Sequence, residues 1–395
     1  MGRHTVQSAP AGRRVHVAEG DYHAFVPNPL PPGLAWTCEL VADLSDADRA
    51  LGELAGLSRV LPNPHLLIIP FVRREAVLSS QIEGTRASLS DLYAYEAVQL
   101  ALFDRPSDVR EVHNYVRALE FGLERLNTLP LSLRLIRELH AQLLQGPDVQ
   151  QKTPGEFRRS QNWIGSPNCA LKDAAFVPPP VPEMNEALRS FESYLHSKST
   201  LPPLIRLGLI HYQFEAIHPF LDGNGRVGRL LITLLLCAWG LLPQPLLCLS
   251  AYFEAQRQAY YDHLLAVSKS GAWEAWLRFF LRGVRQQSAD AVTRARRLEQ
   301  LREEYRQRLG GMRAAARLLQ IADLLLARPI VSISQVAQTL GVSQQSASRY
   351  VEALETIGIL REITGRARGR VYRADAVLEA ISEPHTTPTL LVGVV

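Results

Sequence analysis

The sequence predicts a mainly α-helical protein with one small β-hairpin near its middle and a compact helix–strand unit towards its C-terminus. Three observations lead there. Apolar residues return at helical spacing over most of the chain, as at Leu204, Leu207, Ile210, Phe214 and Ile217. The stretch from Thr153 to Pro180 reads as two short strand-like pieces around a turn. After Pro329 two short helices are followed by two strands flanking Thr364 to Gly369.

At 395 residues the chain suits two or three domains. Its apolar fraction of 47% is ordinary for a globular protein. Net charge is only +4, and lysine supplies just four of the 43 basic residues, so arginine abundance alone does not argue for nucleic acid. Cys38, Cys169, Cys237 and Cys248 form no metal spacing and no disulfide framework. No apolar segment follows the basic N-terminus as in a leader, and no run is long enough to span a bilayer. The expectation is a cytoplasmic chain without a membrane partner.

In chain order, Met1 to Gly20 is basic and unpatterned and reads as a loose tail. Phe25 to Gly33 is proline-rich and extended, a connector. Helical spacing begins at Leu44 and runs to Leu61. Arg73 to Ser80 is helical and stops at Gly84, a natural left-handed terminator. Glu83 therefore lies at a helix C-terminus, where the helix dipole disfavours a carboxylate. Asp91 to Leu102 and Ser107 to Leu126 are amphipathic, with Ser107-Asp108 as a start signal. Leu131 to Leu144 carries Leu135, Leu139 and Leu143 on one face. The hairpin, too small to fold alone, comes next.

Between a buried helix ending near Ile217 and an apolar run from Leu230 to Trp239 lies His218-Pro-Phe-Leu-Asp-Gly-Asn-Gly-Arg-Val-Gly-Arg229. This is a polar turn between two core helices. Gly223 and Gly225 let backbone N–H groups approach a ligand, and the following helix points its free N–H groups at the same place. Arg226 and Arg229 share one face of that helix. Cations there oppose the dipole unless an anion lies between them. The glycines also fit G-x-G-x-x-G literally, but a dinucleotide fold needs a strand before them and an acid roughly 20 residues on. A helix precedes here and Leu241 to Leu249 holds no acid, so that reading is rejected. Four roles remain: His218 as a base near neutral pH, Asp222 as an oxygen ligand for Mg²⁺, the Gly-Asn-Gly turn with Asn224 as an anion hole, and two arginines as a polyphosphate clamp. The plain alternative makes Asp222 a helix cap and His218 a satisfied core histidine.

Leu249 to Leu265 reads as one further helix, and Trp273 to Val284 closes the bundle. Arg285 to Gly310 is rich in Arg and Glu and reads as a solvated linking helix, so removal of everything from Gly311 onward should leave a soluble unit. Beyond it come helices over Ala314 to Leu326, Ser334 to Leu340 and Gln344 to Ile357, then strands Ile359 to Ile363 and Arg370 to Arg373. This arrangement resembles a winged helix-turn-helix. Five arginines between Arg361 and Arg373 could meet phosphates. DNA and protein contact are both carried as readings of this unit. The tail begins at Pro384.

From His218 to Arg229 the sequence resembles the Fic (filamentation induced by cAMP) family, whose motif H-x-F-x-[DE]-G-N-G-R-x-x-R it matches at every fixed position. The resemblance implies a Fic helical bundle with a hairpin flap, followed here by the winged helix. It implies transfer of AMP from Mg²⁺-ATP to a protein hydroxyl. His218 would deprotonate the hydroxyl, Asp222 would hold Mg²⁺, and Gly223, Asn224, Gly225, Arg226, Val227, Gly228 and Arg229 would hold the phosphates, with Phe220 as core anchor. Asn162, Trp163 and Ile164 fall in the flap, which covers the nucleotide and pairs with the target. Tyr260 and Tyr261 would border the adenine pocket. The phosphate-transferring Doc branch has Lys where this chain has Gly225, which favours nucleotide transfer. Ser79-x-x-x-Glu83-Gly84 resembles the family's inhibitory motif [ST]-x-x-x-E-[GN], implying restraint of the enzyme by Glu83 paired with Arg229.

The expected division is 1–105 for an N-terminal region with the inhibitory helix at about 73–84, 106–284 for the catalytic core, 285–311 for the linker, 312–381 for the winged helix and 382–395 for the tail. ATP, a target hydroxyl or the chain itself, DNA and a second copy of the chain are the partners carried forward. Two rivals stand beside AMP transfer: a nucleotide-sensing transcription regulator, and AMP removal with Glu83 orienting water.

Overall fold

The computed structural model describes residues 6–382, apart from 19, 61–63, 98–106, 147–148, 166–168 and 367. The expected tail, Pro167 and Asn168 of the hairpin turn and the end of the 91–102 helix lie outside the described residues. The fold is mainly α. Its centre is a pair of consecutive helices, α7 (Pro203–Ile217) and α8 (Asn224–Ala238), both almost wholly buried. Around them pack α2 (Pro64–Ile82), α4 (Ser107–Arg125), α5 (Leu133–Leu143), α6 (Val181–His196) and α11 (Trp273–Leu309). Among the described residues no helix is long and apolar enough to cross a membrane.

Three expectations are corrected. The first 20 residues hold structure: β1 (Val6–Ala9), β2 (Gly12–Val17) and β3 (Tyr22–Pro27) form an antiparallel sheet in that order. So small a sheet needs a packed face. Phe25 provides it, 5% exposed with its ring 5.9 Å from Phe176, while its N–H donates to the Val177 carbonyl at 2.8 Å. The expected hairpin is there, held among the described residues by an antiparallel bridge between Ile164 and Phe176. The single helix expected over 249–265 is two, α9 (Ser250–Ala255) and α10 (Arg257–Ser270). Gln256 leaves helical geometry between them, so Phe253 and Tyr260 stack with centroids 4.4 Å apart.

The third concerns 285–311. Residues through Leu309 are helical, but they continue α11, a rod ~55 Å long. Ala291, Ala295, Leu298, Leu301, Tyr305 and Leu309 are all buried on one stripe between its arginines. That stripe is narrow, so the charges masked it. It packs on α1 (Cys38–Val60), α12 (Ala315–Ala327) and α15 (Asp375–Ser382).

The winged helix thus sits on the bundle. It comprises α12, β4 (Ile330–Ser332), α13 (Ile333–Leu340), α14 (Gln344–Thr356), β5 (Arg361–Glu362), β6 (Val371–Arg373) and α15, its strands ordered β4-β6-β5. Ser332 and Gln335 make a reciprocal capping box at α13, and Ser343 caps α14. Helix α12 lies against α2, and Gln335 donates to the Glu96 carbonyl of α3 (Leu89–Ala97) at 2.8 Å. Buried Arg294 donates to the Ala380 and Ile381 carbonyls at 3.2 and 2.8 Å. Deletion from Gly311 onward would uncover the faces of α2 and α11 that meet α12, on which Leu318, Ile321 and Leu325 are buried. With ~1.5–3 kcal/mol per buried apolar side chain at stake, the truncated chain is expected to melt at least ~5–10 °C below the full chain by circular dichroism. Equal melting would show that the two units are energetically independent.

Candidate functional site

Helix α7 ends because His218 adopts left-handed backbone (φ 49°, ψ 61°), rare for a residue with a side chain, while its N–H still bonds the Phe214 carbonyl at 3.0 Å. Gly223, also left-handed (φ 81°), starts α8. The first intrahelical bond runs from Val227 N–H to the Gly223 carbonyl at 3.0 Å, so the N–H groups of residues 224–226 precede the ladder. The buried Asn224 amide is spent on the turn itself. Its Oδ1 accepts from Phe220 N–H and its Nδ2 donates to the Phe220 carbonyl, both at 2.8 Å. Asn224 therefore braces the turn, and the amides of residues 224–226 at the start of α8 are left to meet a ligand.

Three residues hold this turn, and two of them, His140 and Arg158, the sequence reading missed. His140 stacks on fully buried Phe220, centroids 3.7 Å apart. Its Nδ1 accepts from Gly155 N–H at 2.9 Å, so its Nε2 carries the proton donated to the Asp222 carbonyl at 3.0 Å. Burial pushes the His140 pKa down to about 4 and keeps that tautomer neutral. Buried Arg158 donates Nε–H to the His218 carbonyl at 3.0 Å and its backbone N–H to the Pro219 carbonyl at 2.9 Å. Burial lowers its pKa to about 10. Asn162 donates to the Phe220 carbonyl at 2.7 Å and ties the flap to the turn. Beside it Trp163 and Ile164 are exposed. Only His140 left a trace in the sequence, a lone polar residue on the leucine face of α5.

His218 Nδ1 donates to the Glu215 carbonyl at 3.3 Å, which leaves Nε2 as a proton acceptor. Burial, helped by the nearby Arg158 cation, pushes its pKa down to about 4. The imidazole is therefore neutral at pH 7. Burial raises the Asp222 carboxyl, but Arg226 and Lys152 more than reverse this and hold it below the usual range. Lys152 Nζ lies 2.7 Å from Asp222 Oδ2, and Oδ1 accepts from Gly223 N–H at 2.6 Å and Arg226 at 3.3 Å. Lys152, unanticipated from the sequence, thus joins the site.

The two arginines are gripped by carboxylates. Arg226 donates to Glu111 at 3.0 Å. Arg229, 1% exposed, donates to Ser79 Oγ at 2.8 Å, to the Ser79 carbonyl at 2.9 Å and to Glu83 Oε1 at 2.6 Å. Gly84 follows with φ 101° and turns the chain away. Burial raises the Glu83 carboxyl, and Arg229 overrides it and holds the group ionised. Among the described residues, Arg226 Nε and Arg229 Nη1 are buried without a hydrogen-bond partner. Buried donors without a partner are costly, and a bound anion or water would satisfy them. A Cβ at Gly225 would collide with the Glu83 carboxylate, and one at Gly228 with Glu215. Burial raises the Glu215 pKa to about 8.

The tyrosine pair divides. Tyr260 is 1% exposed and its hydroxyl donates to His211 Nε2 at 2.9 Å, while His211 Nδ1 donates to the Gly228 carbonyl at 3.2 Å. Tyr260 braces α8 in this way. Tyr261 stands exposed at the rim. Val227 is fully buried and faces the core.

Residues 41–124 match the Fic/DOC family N-terminal description, 130–236 the Fic/DOC family and 318–378 an HTH DNA binding domain. The chain is 29% identical over 205 residues to the protein adenylyltransferase Fic of Drosophila willistoni, and 30% identical over 205 residues to that of Drosophila yakuba. In each case this is 50% of this chain and 37% of the relative. In fold it is similar to a Fic family protein from Desulfovibrio desulfuricans, with TM-score 0.55 at 19% identity over 87% of this chain and 98% of the other. It is also similar to Fic-1 from C. elegans, with TM-score 0.50 at 21% identity over 65% of this chain and 74% of the other. Residues 41–236 of the chain therefore belong to the Fic/DOC family, and an HTH DNA binding domain follows them.

Proposed function

We propose that the site transfers AMP from Mg²⁺-ATP to a serine, threonine or tyrosine hydroxyl of a protein, the chain itself included, and releases pyrophosphate. The observation that carries this reading is the meeting of a neutral imidazole acceptor, His218 Nε2, with helix-start amides and two buried guanidinium groups that have donors to spare. The names of the matched Drosophila relatives agree with it.

In this reading the phosphates lie over the amides of residues 224–226, β and γ against Arg226 and Arg229. His218 Nε2 takes the hydroxyl proton as the oxygen attacks the α-phosphorus, and the bond to the β-phosphate oxygen breaks. Neutral His140 fixes Asp222 and Arg158 fixes His218, so the acceptor is positioned before substrate arrives. Among the described residues no three His, Cys, Asp or Glu side chains gather as a metal cage. One ionised carboxylate, Asp222, still fits Mg²⁺, which takes one or two carboxylates and otherwise substrate phosphates and water. Asp222 would hold it, and the ion would neutralise phosphate charge. Lys152 would have to yield that oxygen.

Incubation with each of four NTPs, labelled at either the α- or the γ-phosphate, tests the reading. Label from the α-position is expected on protein. Transfer from the γ-position alone would make the site a kinase, and transfer of neither would leave nucleotide sensing.

The winged helix supports a second, compatible proposal, binding to double-stranded DNA. Helix α14 exposes Gln344, Gln345 and Arg349, and Arg366, Arg368 and Arg370 are exposed on the wing. Arg361 and Arg373 both pair with Asp375 and serve the fold. Arg366→Ala with Arg368→Ala is expected to weaken binding to all sequences alike and to cut the salt slope by about 2. An unchanged gel shift would rule out wing–phosphate contact.

A further inference from the structure

A cavity of about 340 Å³ opens beside the flap, between β2, β3, the strand-like segment 174–177 and the end of α10. Arg14, Lys172, Lys269 and His23 line it, against one carboxylate, Asp21. Asp21 already sits 2.9 Å from His16 Nε2. Among the described residues Arg14, Lys172 and Lys269 form no ion pair with it or with any other carboxylate. Lys172 and Lys269 are also two of only four lysines in the chain. Three permanent cations come from three separate elements into one concavity, and like charges so gathered repel unless an anion joins them. Lys269 has a local reason to be cationic, at a helix C-terminus. Arg14 on β2 and Lys172 on a 3₁₀ turn have none.

The cavity communicates with the candidate active site. Tyr22 in its wall donates to Gln161 at 3.4 Å, and the next residue, Asn162, bonds the Phe220 carbonyl of the motif turn. On the other wall, Phe176 is three residues from Pro179, whose carbonyl accepts from Arg158, the residue that also bonds the His218 carbonyl. At ~3.3–3.6 Å per extended residue, this places the cavity on the order of 15 Å from His218, a span of about four or five residues of polypeptide.

We propose that this cavity is a docking site for an acidic segment of the modified protein, with aspartate or glutamate side chains about four or five residues from the hydroxyl that enters the active site. The proposal rests on the AMP-transfer reading for the identity of its ligand. Rim carboxylate–ammonium contacts would give substrate selection and faster encounter, weakened by salt.

The test uses the full-length chain and a fluorescein-labelled Gly-Ser-Gly-Gly-Glu-Asp-Glu peptide, compared with its Gln/Asn counterpart by fluorescence anisotropy at low salt. The acidic peptide is expected to bind about tenfold tighter or better. Lys172→Glu with Lys269→Glu should erase the preference, Arg14→Glu on its separate strand should reduce it, and Lys172→Arg with Lys269→Arg should keep it. Equal binding of the two peptides overturns the proposal. So does a preference that survives charge reversal in a variant of unchanged melting temperature. Displacement by inorganic phosphate at the peptide's own concentration would also overturn it, by making the cavity a site for small anions. AMP transfer from α-labelled ATP to the Glu83→Gly chain is measured in parallel. Transfer without an acidic preference sinks the docking site alone. An acidic preference without transfer sinks the transfer reading alone and leaves a site for acidic polypeptide.

Discussion

His218→Ala is expected to cost ~10²–10⁴-fold in AMP transfer while leaving the fold and ATP binding nearly intact. The imidazole supplies the proton acceptor, whereas the phosphates are held by backbone amides, Arg226 and Arg229. Loss of the ring also leaves the bracing of the turn in place, because Arg158 and Asn162 bond backbone carbonyls that the variant retains. Melting temperature and ATP binding by calorimetry should therefore match the parent. More than a tenth of the activity surviving would sink the assignment of His218 as base. The same residue sets the acid limb of the pH profile. Burial lowers its pKa to about 4, so the neutral, proton-accepting form prevails above that pH and is lost as pH falls through it. kcat/KM should show no inflection from this group between pH 6 and 7, where an exposed histidine would titrate. An inflection near 6.5 that vanishes in His218→Ala would contradict the buried, neutral state.

Glu83→Gly is expected to raise AMP transfer about tenfold. Glu83 holds Arg229 Nη2 at 2.6 Å, so one edge of the guanidinium that should meet the γ-phosphate is already taken. A charge-assisted hydrogen bond is worth ~1.5–3 kcal/mol, and the lower end applies because the carboxylate side chain is 34% exposed. Each 1.4 kcal/mol is about a factor of ten. Removing the carboxylate also clears the space over Gly225. Arg229 would stay in place, since Ser79 holds it through both a hydroxyl and a carbonyl. Arg229→Ala in the same chain should then abolish the gain. A well-folded Glu83→Gly chain no faster than its parent would remove the inhibitory role. If AMP removal from a modified protein were lost instead, Glu83 would be the group that orients water.

The turn from His218 to Arg229 between two core helices was legible because its residues are contiguous. The glycines, the two arginines and the histidine are contiguous, and their roles follow from where one helix ends and the next begins. The flanking helices were legible for the same reason, from apolar spacing alone. What tertiary structure decided was everything set by partners distant in sequence. His140 and Lys152 reach Asp222 across some seventy or more residues, and no spacing rule links them. The N-terminal strands look unpatterned until Val177 and Phe176 supply a partner and a surface. The 285–309 segment read as solvated because arginines flank its buried positions and one of them, Arg294, is itself buried, and only α1, α12 and α15 reveal which face is inside. Tyr260 and Tyr261 are adjacent and chemically alike, yet one is committed to His211 in the core and the other stands at the rim. A sequence fixes which faces a helix offers, but burial is settled only by what arrives to cover them.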